Sequence, residues 1–106
     1  MSRTIIPRYK LMLFYDLKPG SHEEYFDFVM NDFVPTAQNL GLYMLQVYHT
    51  LWGNCPLRQA EFVAEDLDTI QAVLASERWQ MLELALQRHA RNYRRKVVPF
   101  RPGFQI

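Results

Sequence analysis

A proton carrier is the chemistry this chain can most readily build, from His49 and Glu61. Two runs, Leu42 to Trp52 and Arg58 to Glu65, flank Gly53-Asn54-Cys55-Pro56, a composition that turns a chain back on itself. With the turn centred near Asn54, His49 falls opposite Glu61 and on the same face of the hairpin. A carboxylate beside an imidazole raises its basicity and fixes its tautomer, as a general acid-base pair working near neutral pH requires. The competing reading is a polar cross-strand contact with no part in chemistry. The sequence leaves both open.

Tyr15, Tyr48 and Trp52 are aromatic and well spread, and with His89 they supply walls for a flat apolar ligand. His89 also falls within an apolar helical stripe, where a hydrogen-bonded core histidine is the alternative, and Trp79 reads as core. Cys55 is the single cysteine. It excludes an internal disulfide and a zinc site of several thiolates, and the default setting is then the reducing cytoplasm. The four glycines do not cluster into a phosphate loop, no two histidines stand at metal-ligand spacing, and no nucleophile elbow occurs. Neither a metal nor a cofactor is expected.

These residues need a scaffold, and 106 residues with a 49% hydrophobic fraction suffice for one domain and one core. A single domain over 1–106 is expected, with residues 1–8 as an N-terminal arm and 101–106 as a C-terminal tail. Twelve basic residues against eleven acidic ones give no field that would select nucleic acid or an anionic membrane. Their distribution is uneven: Arg88, Arg91, Arg94, Arg95, Lys96 and Arg101 follow Glu83 with no acidic residue among them. Cations there oppose the negative end of a helix dipole, or converge on an anionic partner. No apolar run approaches the roughly 18 residues of a membrane helix, and the first residues have no signal-peptide core.

Leu11 to Leu17 is a nearly unbroken apolar run closed by Lys18-Pro19-Gly20, which predicts a strand buried on both faces. Ser21 and Glu24 form a capping-box pattern. The helix they open places Tyr25, Phe26, Val29, Met30, Phe33, Val34, Ala37 and Leu40 on its core face and Phe28 off it, with Pro35 kinking it or ending its first section and Gly41 stopping it. Arg58 to Glu65 alternates, with Ala60, Phe62 and Ala64 on one side. Asp66 or Asp68 caps a short helix bearing Ile70, Val73 and Leu74, and Ser76 opens a longer one whose stripe runs from Trp79 through Leu82 and Leu86 to His89, Ala90 and Tyr93. Lys96 to Phe100 is the last strand, at an edge because of Pro99.

The order strand, helix, strand, strand, helix, strand is that of the α+β ferredoxin-like βαββαβ sandwich: a four-stranded antiparallel sheet with helices on one face. Two helices cover one face only, whereas the first two strands read as apolar on both. About 25 cal/mol is forfeited for each Å² of that second face left wet, so a second copy packed sheet to sheet is expected, with Phe28, Met81 and Leu84 as further contacts.

The chain thereby resembles the dimeric α+β barrel superfamily, and within it NIPSNAP-like and antibiotic-biosynthesis-monooxygenase-like domains. The residues that carry the resemblance are Leu17-Lys18-Pro19-Gly20, Asp66-Leu67-Asp68, Ser76-Glu77-Arg78-Trp79 and Tyr93 to Val98. It implies a homodimer, and a choice among cofactor-independent monooxygenases, haem degraders, isomerases and small proteins with no assigned activity. The haem degraders place a histidine early in the last helix. Here His89 lies near the end of that helix, so no haem is expected. The function implied is a cofactor-independent monooxygenase or isomerase acting on a small apolar or aromatic molecule, with His49 and Glu61 catalytic and Tyr15, Tyr48, Trp52 and His89 binding; the alternative is a non-catalytic ligand-binding or interaction module.

Overall fold

A computed structural model describes residues 6–52 and 55–100, with the backbone alone at 48–52 and 55–57. In chain order the elements are β1 (Tyr9–Leu17), α1 (His22–Phe28), a π-helical stretch (Val29–Phe33), α2 (Val34–Leu40), β2 (Tyr43–Trp52), β3 (Cys55–Ala64), α3 (Leu67–Ala75), α4 (Glu77–Gln87) and β4 (Ala90–Pro99). The strands form one antiparallel sheet in the order β2-β3-β1-β4. With the helices against one face, this is the ferredoxin-like α+β fold.

Alternation in β1 decides which side chains meet the helices. Leu11, Leu13, Tyr15 and Leu17 point inward and are buried, and the β3 partners Phe62 and Ala60 extend the same layer. Trp79 closes it from α4 with no exposed surface, its ring 5.5 Å from that of Phe33. Burying each large apolar side chain of this layer contributes about 1.5–3 kcal/mol.

The helix starts follow local chemistry with one exception. Asp66 caps α3 by accepting from the Thr69 amide at 2.7 Å, and Ser76 caps α4 by accepting from the Trp79 amide at 3.2 Å. Ser21 caps nothing with its side chain; instead, the Ser21 carbonyl accepts from the Tyr25 amide at 2.8 Å. Pro35 has no N–H for the carbonyl four residues back. The helix widens to π geometry over Val29–Phe33 just before it and resumes as α2. The core stripe is therefore Tyr25, Phe33 and Ala37, with Phe28 packed beside it, while Phe26 and Met30 are left exposed, the reverse of the regular helical expectation. Gly41 ends α2 at a φ of 107°, where a side chain would be strained.

Two boundaries differ from the sequence reading. The hairpin is tighter, because Trp52 already pairs with Cys55 and Leu51 with Pro56. The last strand is longer. Leu17 pairs with Ala90 and draws the chain into the sheet straight after α4, so His89 lies in the connecting turn while Ala90 and Tyr93 are strand residues. A bulge at Asn92, whose φ is 57°, allows Tyr93 to meet the inner layer.

Candidate functional site

At the end of β1 nearest α1, the inner layer turns from hydrocarbon to phenol and guanidinium. Tyr15 is buried, and its hydroxyl lies 2.5 Å from that of Tyr25, the inward residue of α1. Across the ladder from Tyr15 stands Arg58, the first inward position of β3 with a described side chain. Its guanidinium carbon sits 5.2 Å from the centre of the Tyr25 ring, a cation-π contact. Tyr93 completes the group from β4, its ring 6.4 Å from that of Tyr15.

The charges here are unevenly satisfied. The Tyr93 hydroxyl donates to Glu83 Oε2 at 2.7 Å, and Arg95 also pairs with that carboxylate. Arg58 is half-buried, its Nε is buried with no hydrogen-bond partner, and among the described residues no carboxylate pairs with it. A buried donor left unmade is uncommon and costly. Burial raises the pKa of both Tyr15 and Tyr25 above the ordinary phenol value, although the Arg58 charge pulls each down. Both hydroxyls are therefore protonated at neutral pH and able to donate.

The residues proposed from sequence divide between this end and elsewhere. Tyr15 is at its centre. His49 pairs with Arg58 in the β2–β3 ladder, not with Glu61, because the hairpin already pairs Trp52 with Cys55, and that register sets Gln46 opposite Glu61. The expected His49–Glu61 opposition is thereby corrected. Tyr48 pairs with Gln59, and the side chains of Tyr48, His49 and Trp52 lie outside the described residues. His89, in the turn after α4, accepts at its carbonyl from the Lys18 amide at 2.9 Å and holds its ring 5.8 Å from that of Phe28.

Glu61 belongs to the other face of the sheet. It is 2% exposed and accepts from Lys10 at 3.3 Å, Gln46 at 3.0 Å and Gln59 at 2.6 Å. Burial pushes its carboxyl up, but the hydrogen bonds from the two glutamines and Lys10, with the Lys10 charge, outweigh that and hold it below the ordinary value. Phe100 lies over Lys10, 5.8 Å from its ammonium to the ring centre. The second face is thus not the continuous apolar surface read from the sequence. Met12, Phe14, Tyr43 and Val98 are half-buried around a polar centre, and the most exposed large apolar side chains of the secondary structure, Phe26, Met81 and Leu84, lie on helices.

Arg58, Tyr25 and Tyr93 were not singled out for chemistry from the sequence. One signal was available: Arg58 shares the parity of Ala60, Phe62 and Ala64, so an arginine stands in phase with a core stripe. Among the described residues no group of three histidine, cysteine or acidic side chains converges as a metal site, and no helix is long and apolar enough to cross a membrane. A hollow of about 320 Å³ at the opposite end of the sandwich is lined by Leu40, Gly41, Tyr43, Glu65 and Thr69 among others. It has no cation in its wall.

No family model and no curated protein matches the chain. Solved structures do. A NIPSNAP family protein from Agrobacterium tumefaciens is similar over 97% of this chain and 94% of its own, with a TM-score of 0.66 and 15% identity. A NIPSNAP-like domain protein from Burkholderia xenovorans is 19% identical over 93% of this chain and 89% of its own, with a TM-score of 0.65. A protein of unknown function from Bacteroides thetaiotaomicron, described as a possible oxidoreductase, has a TM-score of 0.68 at 8% identity, covering 89% of this chain and 98% of its own. At such identities the likeness is one of fold: this chain has the ferredoxin-like α+β architecture of NIPSNAP-type structures.

Proposed function

We propose that the protein is a homodimer that holds a small apolar or aromatic molecule at the helix-sheet end around Tyr15, and acts on it as a cofactor-independent isomerase or monooxygenase. The observation that carries this reading is the meeting of the Tyr15, Tyr25 and Tyr93 rings, two of them protonated buried phenols, with a half-buried guanidinium that has an unmade donor. Structural clusters usually satisfy their own charges, as Glu83 does for Arg95. In this reading His49, the ladder neighbour of Arg58, carries the proton, and Glu61, already engaged by three donors, keeps a structural part. Tyr48, Trp52 and His89 are proposed as walls.

The dimer is proposed through the second sheet face, where half-buried Met12, Phe14, Tyr43 and Val98 surround the Lys10–Glu61 pair. Sedimentation at micromolar concentration tests it: a monomer would remove the shared interface. The likeness in fold to a possible oxidoreductase is the reason to include oxygenation among the reactions screened. A cytoplasmic setting is retained from the lone cysteine.

A second reading has its own support. The sandwich interior is filled by its own rings, with Phe62 and Trp79 unexposed and Phe33 within 5.8 Å of the one and 5.5 Å of the other. That favours a module whose end site binds without turnover. Native mass spectrometry of the purified protein tests the common core of both: a co-purifying small molecule lost in Tyr15→Leu supports binding at this end, and a bound molecule unaffected by that change contradicts it. His49→Ala then separates the two, abolishing turnover in a folded enzyme and changing nothing in a binding module.

A further inference from the structure

The proposed ligand site leaves open what its polar end recognises, and Arg58 answers that. Two other charges on the sheet have opposite partners: Lys10 has Glu61, and Arg95 has Glu83, while Arg94, which lies over the Phe14 ring, is exposed where Arg58 is half-buried. Arg58 has an aromatic ring beneath it and no counter-ion among the described residues. A guanidinium presents a planar fork of donors that matches two oxygens of a carboxylate or the single oxygen of an enolate. The contact with the Tyr25 ring, 5.2 Å from the guanidinium carbon, restrains that fork, so less freedom is lost when an anion docks.

The two phenols sharpen the selection. Tyr15 and Tyr25 share one hydrogen bond between their hydroxyls at 2.5 Å. Whichever donates in that bond, the other keeps a proton of its own to offer. A neutral ligand would leave the Arg58 charge uncompensated, and a cationic one would be repelled. We infer that the site takes a small ligand bearing an anionic oxygen, a carboxylate or an enolate, with Arg58 as the counter-ion, a Tyr15 or Tyr25 hydroxyl as a further donor, and the ligand's apolar body against the aromatic walls.

This inference rests on the proposed small-molecule site, and the test separates the two. Isothermal titration of the intact protein with benzoate and with benzamide compares probes of nearly equal shape that differ in charge. Expected is benzoate binding at least about tenfold tighter than benzamide, since a charge-assisted contact is worth about a decade or more in affinity. Arg58→Met should remove that preference, Arg58→Lys should retain part of it, and Arg95→Met, whose charge already has Glu83, should leave it intact. Circular dichroism establishes that each variant is folded. Equal affinity for the two probes, or an unchanged preference in Arg58→Met, overturns anion recognition while leaving an apolar site in place. Failure of both probes to bind at millimolar concentration overturns both.

Discussion

Lys10–Glu61 and Arg58–Tyr15 occupy the same two strands on opposite sides of one sheet. On the outer side the ammonium and the carboxylate are 3.3 Å apart, with side chains 10% and 3% exposed, and Gln46 and Gln59 also donate to the carboxylate. On the inner side, a few residues along β3, the guanidinium faces two phenols and, among the described residues, no acid. Both clusters are polar groups placed in low-dielectric surroundings, where an unmet charge is expensive. A closed network uses its charges to hold a single register. A cluster that leaves a charge unanswered has room for a counter-ion from outside, which is the part proposed for Arg58.

The largest effect that could break this contrast is expected at the closed side. Glu61→Leu removes the carboxylate to which Lys10, Gln46 and Gln59 donate and should destabilise the fold by about 3–5 kcal/mol, whereas Lys10→Met with Glu61→Leu should restore much of that loss. Urea denaturation of the single and double variants measures the difference, and equal losses in both would mean that the pair is not the closed unit described here. The pair also sets an acid limit. Because the folded Glu61 pKa lies below its unfolded value, its contribution is present above the ordinary glutamate range and is lost as the pH falls through that range to the folded value. The double variant should therefore lose less stability than the wild type in an acid titration of unfolding.

A smaller effect is expected at the phenols. Tyr15→Phe removes the bond to the Tyr25 hydroxyl and should cost about 1 kcal/mol. Its pH signature runs the other way from that of Glu61. Tyr15 holds its proton in the folded state beyond the ordinary phenol value, so above that value the unfolded chain ionises first and stability falls as the pH rises. Tyr15→Phe should flatten this alkaline slope in unfolding monitored by circular dichroism; an unchanged slope would place the hydroxyl in water rather than in the buried pair.

The smallest effect sharpens the comparison most. Arg58→Met removes a charge that has no acidic partner among the described residues and keeps most of the side chain's apolar stem, so stability should stay within about 0.5 kcal/mol of wild type. A loss of several kcal/mol would reveal a structural partner and make the two sides alike.

The fold was legible in the sequence because its signals were periodic and local: the Ala60-Phe62-Ala64 alternation, the Asp66 and Ser76 caps, and Gly41 as a stop. What was not legible depended on insertions into those periods. The π-helical stretch before Pro35 exchanges the surroundings of Phe28 and Met30, and the early pairing of Trp52 with Cys55, a turn shorter than its composition suggested, separates His49 from Glu61. The bulge at Asn92 turns an apparent helical stripe into strand residues, which is how Tyr93 comes to face Tyr15. Such one-residue changes are set by tertiary pairing and leave little mark on composition. Tyr15, singled out from the sequence, lies beside Tyr25 and opposite Arg58; Arg58 could have been singled out too, had parity been followed to the start of the strand.

Thermal unfolding with and without benzoate, run on the wild type, Lys10→Met with Glu61→Leu, and Arg58→Met, tests the division of labour most directly. A ligand that binds only the folded state raises its midpoint. The midpoint should rise in the wild type and by a similar increment in the double variant, and should stay unmoved in Arg58→Met. A rise in Arg58→Met equal to that of the wild type would contradict the account.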